Sequence, residues 1–316
     1  MPHPLRIGLL RLADSAPILA ADRHGFFREN TILPSVSVEP SWANLADKMT
    51  WGVLDAAVMF PPLAFMTMAG TRGRPVQGRL THALSRGGNM VVLRKLDDAP
   101  NLTVTTLNDK KIVFSKWASK ITHKPKFAVV HENSTHYLIL RRLLNALSVS
   151  FDHAVDLVIM PPDQIVTALT KGAIDGFCAG PPWGTEACFS GAGFCLARST
   201  DIFPNHLEKC LFVTDRWLNA DKQHLAGLTS ALTKAALYCS TPENSMALTD
   251  LLARPLKEGG LNLPYAATRC LMPDNALPDG LHFPLDQTIQ HTDLQWMIYD
   301  MKTLGWLTAF PDHCTA

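Results

Sequence analysis

The stretch Lys171-Gly-Ala-Ile-Asp-Gly-Phe-Cys-Ala-Gly-Pro-Pro-Trp183 has a counterpart upstream, Trp51-Gly-Val-Leu-Asp-Ala-Ala-Val-Met-Phe-Pro-Pro-Leu63, at an offset of 120 residues. Both read x-Gly-x-aliphatic-Asp-small, then four residues, then Pro-Pro. The correspondence extends outward at nearly the same offset. Leu5–Leu10 and Phe127–His131 are apolar runs that suit buried strands. Pro17–His24 and Tyr137–Leu144 have apolar residues at helical spacing. Val36–Val38 and Val155–Ile159 read as strands, and Ser41–Thr50 and Pro161–Thr170 as helices. Gly52 and Gly172 follow those helices where a left-handed stop is wanted. Leu54–Met59 and Ile174–Ala179 close each unit as strands.

Each half therefore reads strand-helix-strand-helix-strand, the pattern of a doubly wound parallel sheet. Two such halves predict an α/β protein of two lobes, residues 1–90 with 205–316 and residues 91–204. Ligands of open parallel sheets sit beyond the carboxyl ends of the strands, so facing lobes place a cleft between them. Gly87–Arg94 reads as a strand leaving lobe one, with Phe194–Arg198 and Cys210–Thr214 as the return. Residues beyond about 215 read as helical and are expected to complete lobe one.

The 316 residues carry 29 basic and 28 acidic side chains, a formal net charge of +1. That balance argues against a nucleic-acid partner, which calls for a basic excess. No apolar run reaches the roughly 18 residues of a membrane span. The first strand follows Met-Pro-His-Pro directly, so no secretory signal is expected. The seven scattered cysteines suit a reducing compartment. Together these predict a cytoplasmic protein, or a periplasmic one if the start site is misassigned. No phosphate loop, nucleophile elbow, metal-type Cys/His spacing or paired-carboxylate constellation appears, so neither an enzyme nor a metal or cofactor is expected.

Binding groups are expected at helix starts, where unpaired N–H groups and the positive dipole end favour anions. Ser41 and Ser134 are candidate N-caps. Trp42 offers a ring face and an indole N–H, or is a core aromatic. His136 can donate to an anion, or is a satisfied surface histidine. Gly180 admits close backbone approach, or ends a strand. Lys209 reads by default as a solvated lysine. Asp55 and Asp175 read as structural turn residues.

The segments PSWANLADKMTWGVLDAA (40–57), ENSTHYLILRRLL (132–144), PPDQIVTALTKGAIDGFCAGPPW (161–183) and EKCLFVTDRWL (208–218) resemble the nitrate/nitrite-binding receptors. These are the NrtA-like solute-binding proteins of ABC importers and the NasS-like cytoplasmic sensors. The resemblance covers nearly the whole chain. It implies a type II periplasmic-binding-protein fold and a nitrate or nitrite site at Trp42, Asn89, His136, Gly180 and Lys209. Asn89 stands where the family has a glutamine, one methylene longer, and Phe60-Pro-Pro-Leu63 departs from the family pattern. In bicarbonate-binding relatives an acidic residue at the lysine position helps hold calcium, so Lys209 implies a bare anion without metal. The resemblance further implies a sensor that restrains an antiterminator regulator, or else an importer component facing a permease. Thiamin-pyrimidine synthases share the fold but need a cysteine-rich stretch that is lacking here. Binding of another oxyanion or a small sulfonate is the remaining alternative. With His136 and Lys209 placed at a ligand surface, replacing either is expected to spare the fold.

Overall fold

In the computed structural model, which describes residues 4–96, 105–275 and 280–307, the two related stretches build two five-stranded sheets. The first half runs β1 (Leu5–Leu9), α1 (Ala16–Arg23), α2 (Phe26–Glu29), β2 (Pro34–Val38), α3 (Trp42–Thr50), β3 (Ala56–Met59), α4 (Pro61–Met68) and β4 (Gly78–Arg86). The second runs β5 (Met90–Arg94), α5 (Leu107–Ala118), β6 (Lys126–Val129), α6 (Thr135–Ala146), α7 (Phe151–Ala154), β7 (Asp156–Ile159), α8 (Pro162–Thr170), β8 (Gly176–Ala179), α9 (Trp183–Phe189) and β9 (Gly193–Arg198). The chain then returns through β10 (Leu207–Thr214) and continues as α10 (Asp215–Leu218), α11 (His224–Ser240), α12 (Ser245–Ala253), α13 (Tyr265–Arg269) and α14 (His291–Thr303).

The strand orders are β2-β1-β3-β10-β4 and β7-β6-β8-β5-β9. In each sheet three strands of the repeat are parallel: β1 lies between β2 and β3, and β6 between β7 and β8. The fourth strand, β10 or β5, is antiparallel to both neighbours. The sheets are thus mixed, where the repeat alone suggested parallel ones. The reason is connectivity, since β5 and β10 are the strands by which the chain enters a lobe from the other one. Central strands such as β3, β8 and β10 are buried throughout, as expected with helices on both faces.

The aspartates of the repeated motif do the same job twice. Asp55 accepts from the Arg6 backbone N–H (3.3 Å) and from the guanidinium groups of Arg6 and Arg216 (2.6 Å each). Asp175 accepts from the Lys126 backbone N–H (3.0 Å), from Arg94 (2.8 Å) and from His123 (2.8 Å). Each carboxylate pins the start of its last parallel strand to the start of its first. Gly52 and Gly172, at φ +70° and +67°, make the left-handed stop that precedes them.

Two connectors cross between the lobes side by side. Gly87 N–H donates to His206 O (3.0 Å), and Ser199 N–H to Asn89 O (2.9 Å). Beyond β10, α11 packs on α1 and α2, whereas α13 packs on α9 and α14 lies against both α4 and α6. The C-terminal helices therefore touch both halves.

Candidate functional site

Helix α3 begins at Trp42 because Ser41 is extended (φ −157°) and its Oγ accepts from Asn44 N–H at 3.1 Å. Helix α6 begins the same way: Ser134 Oγ accepts from Tyr137 N–H at 3.1 Å. Both expected caps are present, and they set Trp42 and His136 in the first turns of helices from opposite lobes. Gly180 follows β8, Asn89 sits in the connector before β5, and Lys209 lies on β10.

These five residues come together, and all are buried. Lys209 and His136 have no exposed surface; Trp42 and Asn89 keep 1% each. The Lys209 ammonium lies 5.5 Å from the Trp42 ring centre and 5.6 Å from that of Phe60. His136 Nε2 is 3.1 Å from Asn89 Oδ1. A side chain at Gly180 would put its Cβ 3.5 Å from both those atoms and 3.3 Å from Leu12. Glycine there lets Leu12, Asn89 and His136 close in on the backbone.

Asn89, His136 and Lys209 share one partner, Glu208, which has no exposed surface either. Its carboxylate accepts from Asn89 Nδ2 (2.6 Å), Thr135 Oγ1 (2.8 Å) and Lys209 Nζ (2.5 Å), and His136 Nε2 stands 3.2 Å away. Lys209 Nζ also meets Asp14 Oδ2 at 3.0 Å. That approach is an ion pair without the alignment of a hydrogen bond, and both Asp14 oxygens lack a hydrogen-bond partner. Two donor or acceptor atoms at the site are likewise free and buried, Trp42 Nε1 and His136 Nδ1. Because Asn89 turns its NH2 to Glu208, it offers only its carbonyl oxygen to His136. His136 Nε2 therefore faces acceptors alone and carries the proton of the neutral ring.

The electrostatics follow from burial opposed by pairing. Burial alone would raise Glu208, but the Lys209 charge and the bond from His136 reverse this and hold its carboxyl well below the usual range. Burial lifts Asp14 to about 6 against the pull of Lys209. Burial would lower Lys209, yet Asp14 and Glu208 raise it. Burial lowers His136 and His206, against the opposing pull of Glu208.

Three expectations are thereby corrected. Lys209 is a buried ion-paired residue and not a solvated one. His136 is not a surface histidine. Neither group stands on an open ligand surface, which was the ground for expecting their replacement to spare the fold. Sequence reasoning also missed Asp14, Thr135, Glu208 and the part played by Phe60, whose ring packs on Trp42 (4.4 Å between centres) and edge-on to His136 (5.8 Å). Glu208 was hidden by the alternation of strands, which sends neighbours to opposite faces. The β10 register slips on both sides of Lys209, and such a bulge lets consecutive side chains share one space. Asp14 carried a weak signal: it precedes α1 as Ser134 precedes α6, at the offset of the repeat.

A model of the NMT1-like family matches residues 1–253. The bicarbonate transport ATP-binding protein CmpC of Synechocystis sp. is 34% identical over 255 residues, covering 79% of this chain and 37% of that protein. The nitrate/nitrite binding protein NrtA of Synechococcus elongatus is 28% identical over 258 residues, 78% of this chain and 57% of that one. The chain thus spans well under two thirds of the length of these relatives. Among solved structures, the periplasmic nitrate-binding protein NrtA from Synechocystis PCC 6803 superposes with a TM-score of 0.84 at 21% identity, covering 97% of this chain and 82% of that one. The alkanesulfonate-binding protein SsuA from Xanthomonas axonopodis pv. citri, bound to MOPS, gives 0.70 at 15% identity, covering 99% and 96%. These likenesses show the periplasmic-binding-protein fold, and the family match over most of its length shows that the chain belongs to the NMT1-like family.

Proposed function

We propose that the chain is a receptor for a small oxyanion, nitrate or nitrite, held between residues 1–90 with 205–316 on one side and 91–204 on the other. The observation that carries this reading is Trp42 Nε1, a buried indole N–H without an acceptor, set at a helix start beside Lys209 and facing the helix start of His136. An unpaired polar atom in a dry site is costly, and a ligand atom is what relieves it. Relatives named for nitrate and nitrite agree with this choice. A second reading, bicarbonate, is favoured by two buried acceptors, Asp14 Oδ1 and His136 Nδ1, which suit a ligand hydroxyl that nitrate does not have. The relatives named for bicarbonate transport support it as well.

The receptor works as a binding protein and not as an enzyme. Its cytoplasmic use as a sensor for an antiterminator regulator is the favoured role. Service as an importer component is the alternative. Calorimetric titration with nitrate, nitrite and bicarbonate tests the ligand. Nitrate binding that falls ten- to a hundredfold in His136→Ala, about 1–3 kcal/mol, supports the reading. Unchanged affinity in that variant rejects the site. Cell fractionation followed by affinity capture of the regulator tests the role, and recovery of the protein outside the cytoplasm rejects the sensor.

A further inference from the structure

The charge inside the cleft does not suit an anion as it stands. Asp14 and Glu208 bring two negative charges and Lys209 one positive, all without exposed surface. His136 and His206, which face Glu208 at 3.2 and 3.8 Å, are disfavoured as cations by burial, and burial pushes the nearby Cys178 and Cys210 thiols up, so they stay neutral. The cluster carries about one net negative charge before any ligand arrives, and an anion against Lys209 would add a second in a site closed to water.

We propose that the cleft takes up its anion together with one proton, and that Asp14 holds that proton. This rests on the anion-receptor reading above. Glu208 cannot take the proton without setting a hydroxyl against the donors of Asn89, Thr135, Lys209 and His136 that already surround it. Asp14 has no such set: Lys209 Nζ, at 3.0 Å, is the charged donor paired with it, against the four groups gathered round Glu208. Protonated, Asp14 becomes a donor that can turn to an anion oxygen, and it frees Lys209 from one of its two carboxylates. The balance is one O–H bond formed on Asp14, with the proton drawn from solvent, and no other bond made or broken. With burial already lifting Asp14 to about 6, the free site is mostly ionised at pH 7.5. A second anion alongside raises the carboxyl further, so the proton arrives with the ligand.

The test is calorimetry of the full chain with sodium nitrate, and with sodium nitrite, at pH 7.5 in two buffers of different ionisation enthalpy. The expected result is uptake of about one proton per anion, with affinity falling by up to about tenfold per pH unit above pH 7 and levelling below about 6. In Asp14→Asn, with folding checked by circular dichroism, uptake disappears and affinity becomes flat with pH. The wild-type buffer series stands even if that variant fails to fold. Anion binding without proton uptake overturns this proposal while leaving the receptor reading intact. Uptake that persists in Asp14→Asn moves the proton to His136 and overturns it too. No binding of nitrate or nitrite at any pH overturns the nitrate reading and this proposal with it.

Discussion

The two halves of the chain are alike where they hold the fold and unlike where they meet. Asp55 and Asp175 stand at matching positions, and each ties two strands through arginine and a backbone N–H. At the facing edges the same offset pairs Asp14 with Ser134, Ala16 with His136, Trp42 with Pro162 and Phe60 with Gly180. One lobe supplies bulk, an indole and a carboxylate; the other supplies a cap, an imidazole and a bare backbone. The scaffold keeps its twofold pattern because both sheets need the same pins. A small ligand caught between them needs two different walls.

The harshest way to break this comparison is Lys209→Glu. It gathers three carboxylates in a space without water, and losing one partner of a buried pair typically costs about 3–5 kcal/mol. Urea unfolding should show a loss at least that large or no cooperative transition at all. A variant with parental stability would mean that the cluster is open to solvent.

Next in size are Asp55→Ala and Asp175→Ala. Each strips several donors of their acceptor, so a loss of about 2–3 kcal/mol is expected for both, equal to within about 1 kcal/mol. Burial would raise these carboxyls, but the arginine and backbone bonds outweigh it and hold both below 3.8. A carboxyl lowered in the folded state stabilises above its unfolded value and stops doing so as pH falls through its folded one. The gap between wild type and each variant should therefore narrow below about pH 4. A large inequality at pH 7 would show that the repeat is one of sequence and not of mechanics.

The smallest effect sharpens the contrast between Phe60 and Gly180. Gly180→Ala meets Leu12 at 3.3 Å and leaves the backbone unstrained, so stability should change by less than about 1 kcal/mol. Anion affinity should still fall several-fold, since the methyl crowds Asn89 and His136. Titration of this variant at parental affinity would place the ligand away from that glycine.

The repeat was legible because hydrophobic period, glycine stops and turn prolines are local features. Ser41 and Ser134 were legible as caps for the same reason. Trp42, His136, Gly180 and Lys209 were candidates from the chain itself, each beside a bland alternative; the family likeness made them one set and added Asn89, and the structure does bring the five together. What chain patterns could not give was their state. Burial of Lys209 depends on Asp14 and Glu208, one far away in sequence and the other hidden by a bulge that the alternation rule does not foresee. The mixed sheets depend on how two connectors cross, which is a property of the whole path.

Segment 11–13 is fastened to the opposite lobe. Arg11 bonds Asp163 at 2.7 Å, its carbonyl receives Trp183 Nε1 at 3.0 Å, and Ala13 N–H reaches Pro181 O at 2.8 Å. With Lys209 and His136 wholly covered, no solute reaches them while those bonds hold. For the proposed anion, exchange would have to wait for the lobes to part, so its association rate should be set by the frequency of opening and lie below the diffusion limit. Release should share that clock. A receptor of this build would report the anion level averaged over its dwell time, filtering out fluctuations faster than its own opening.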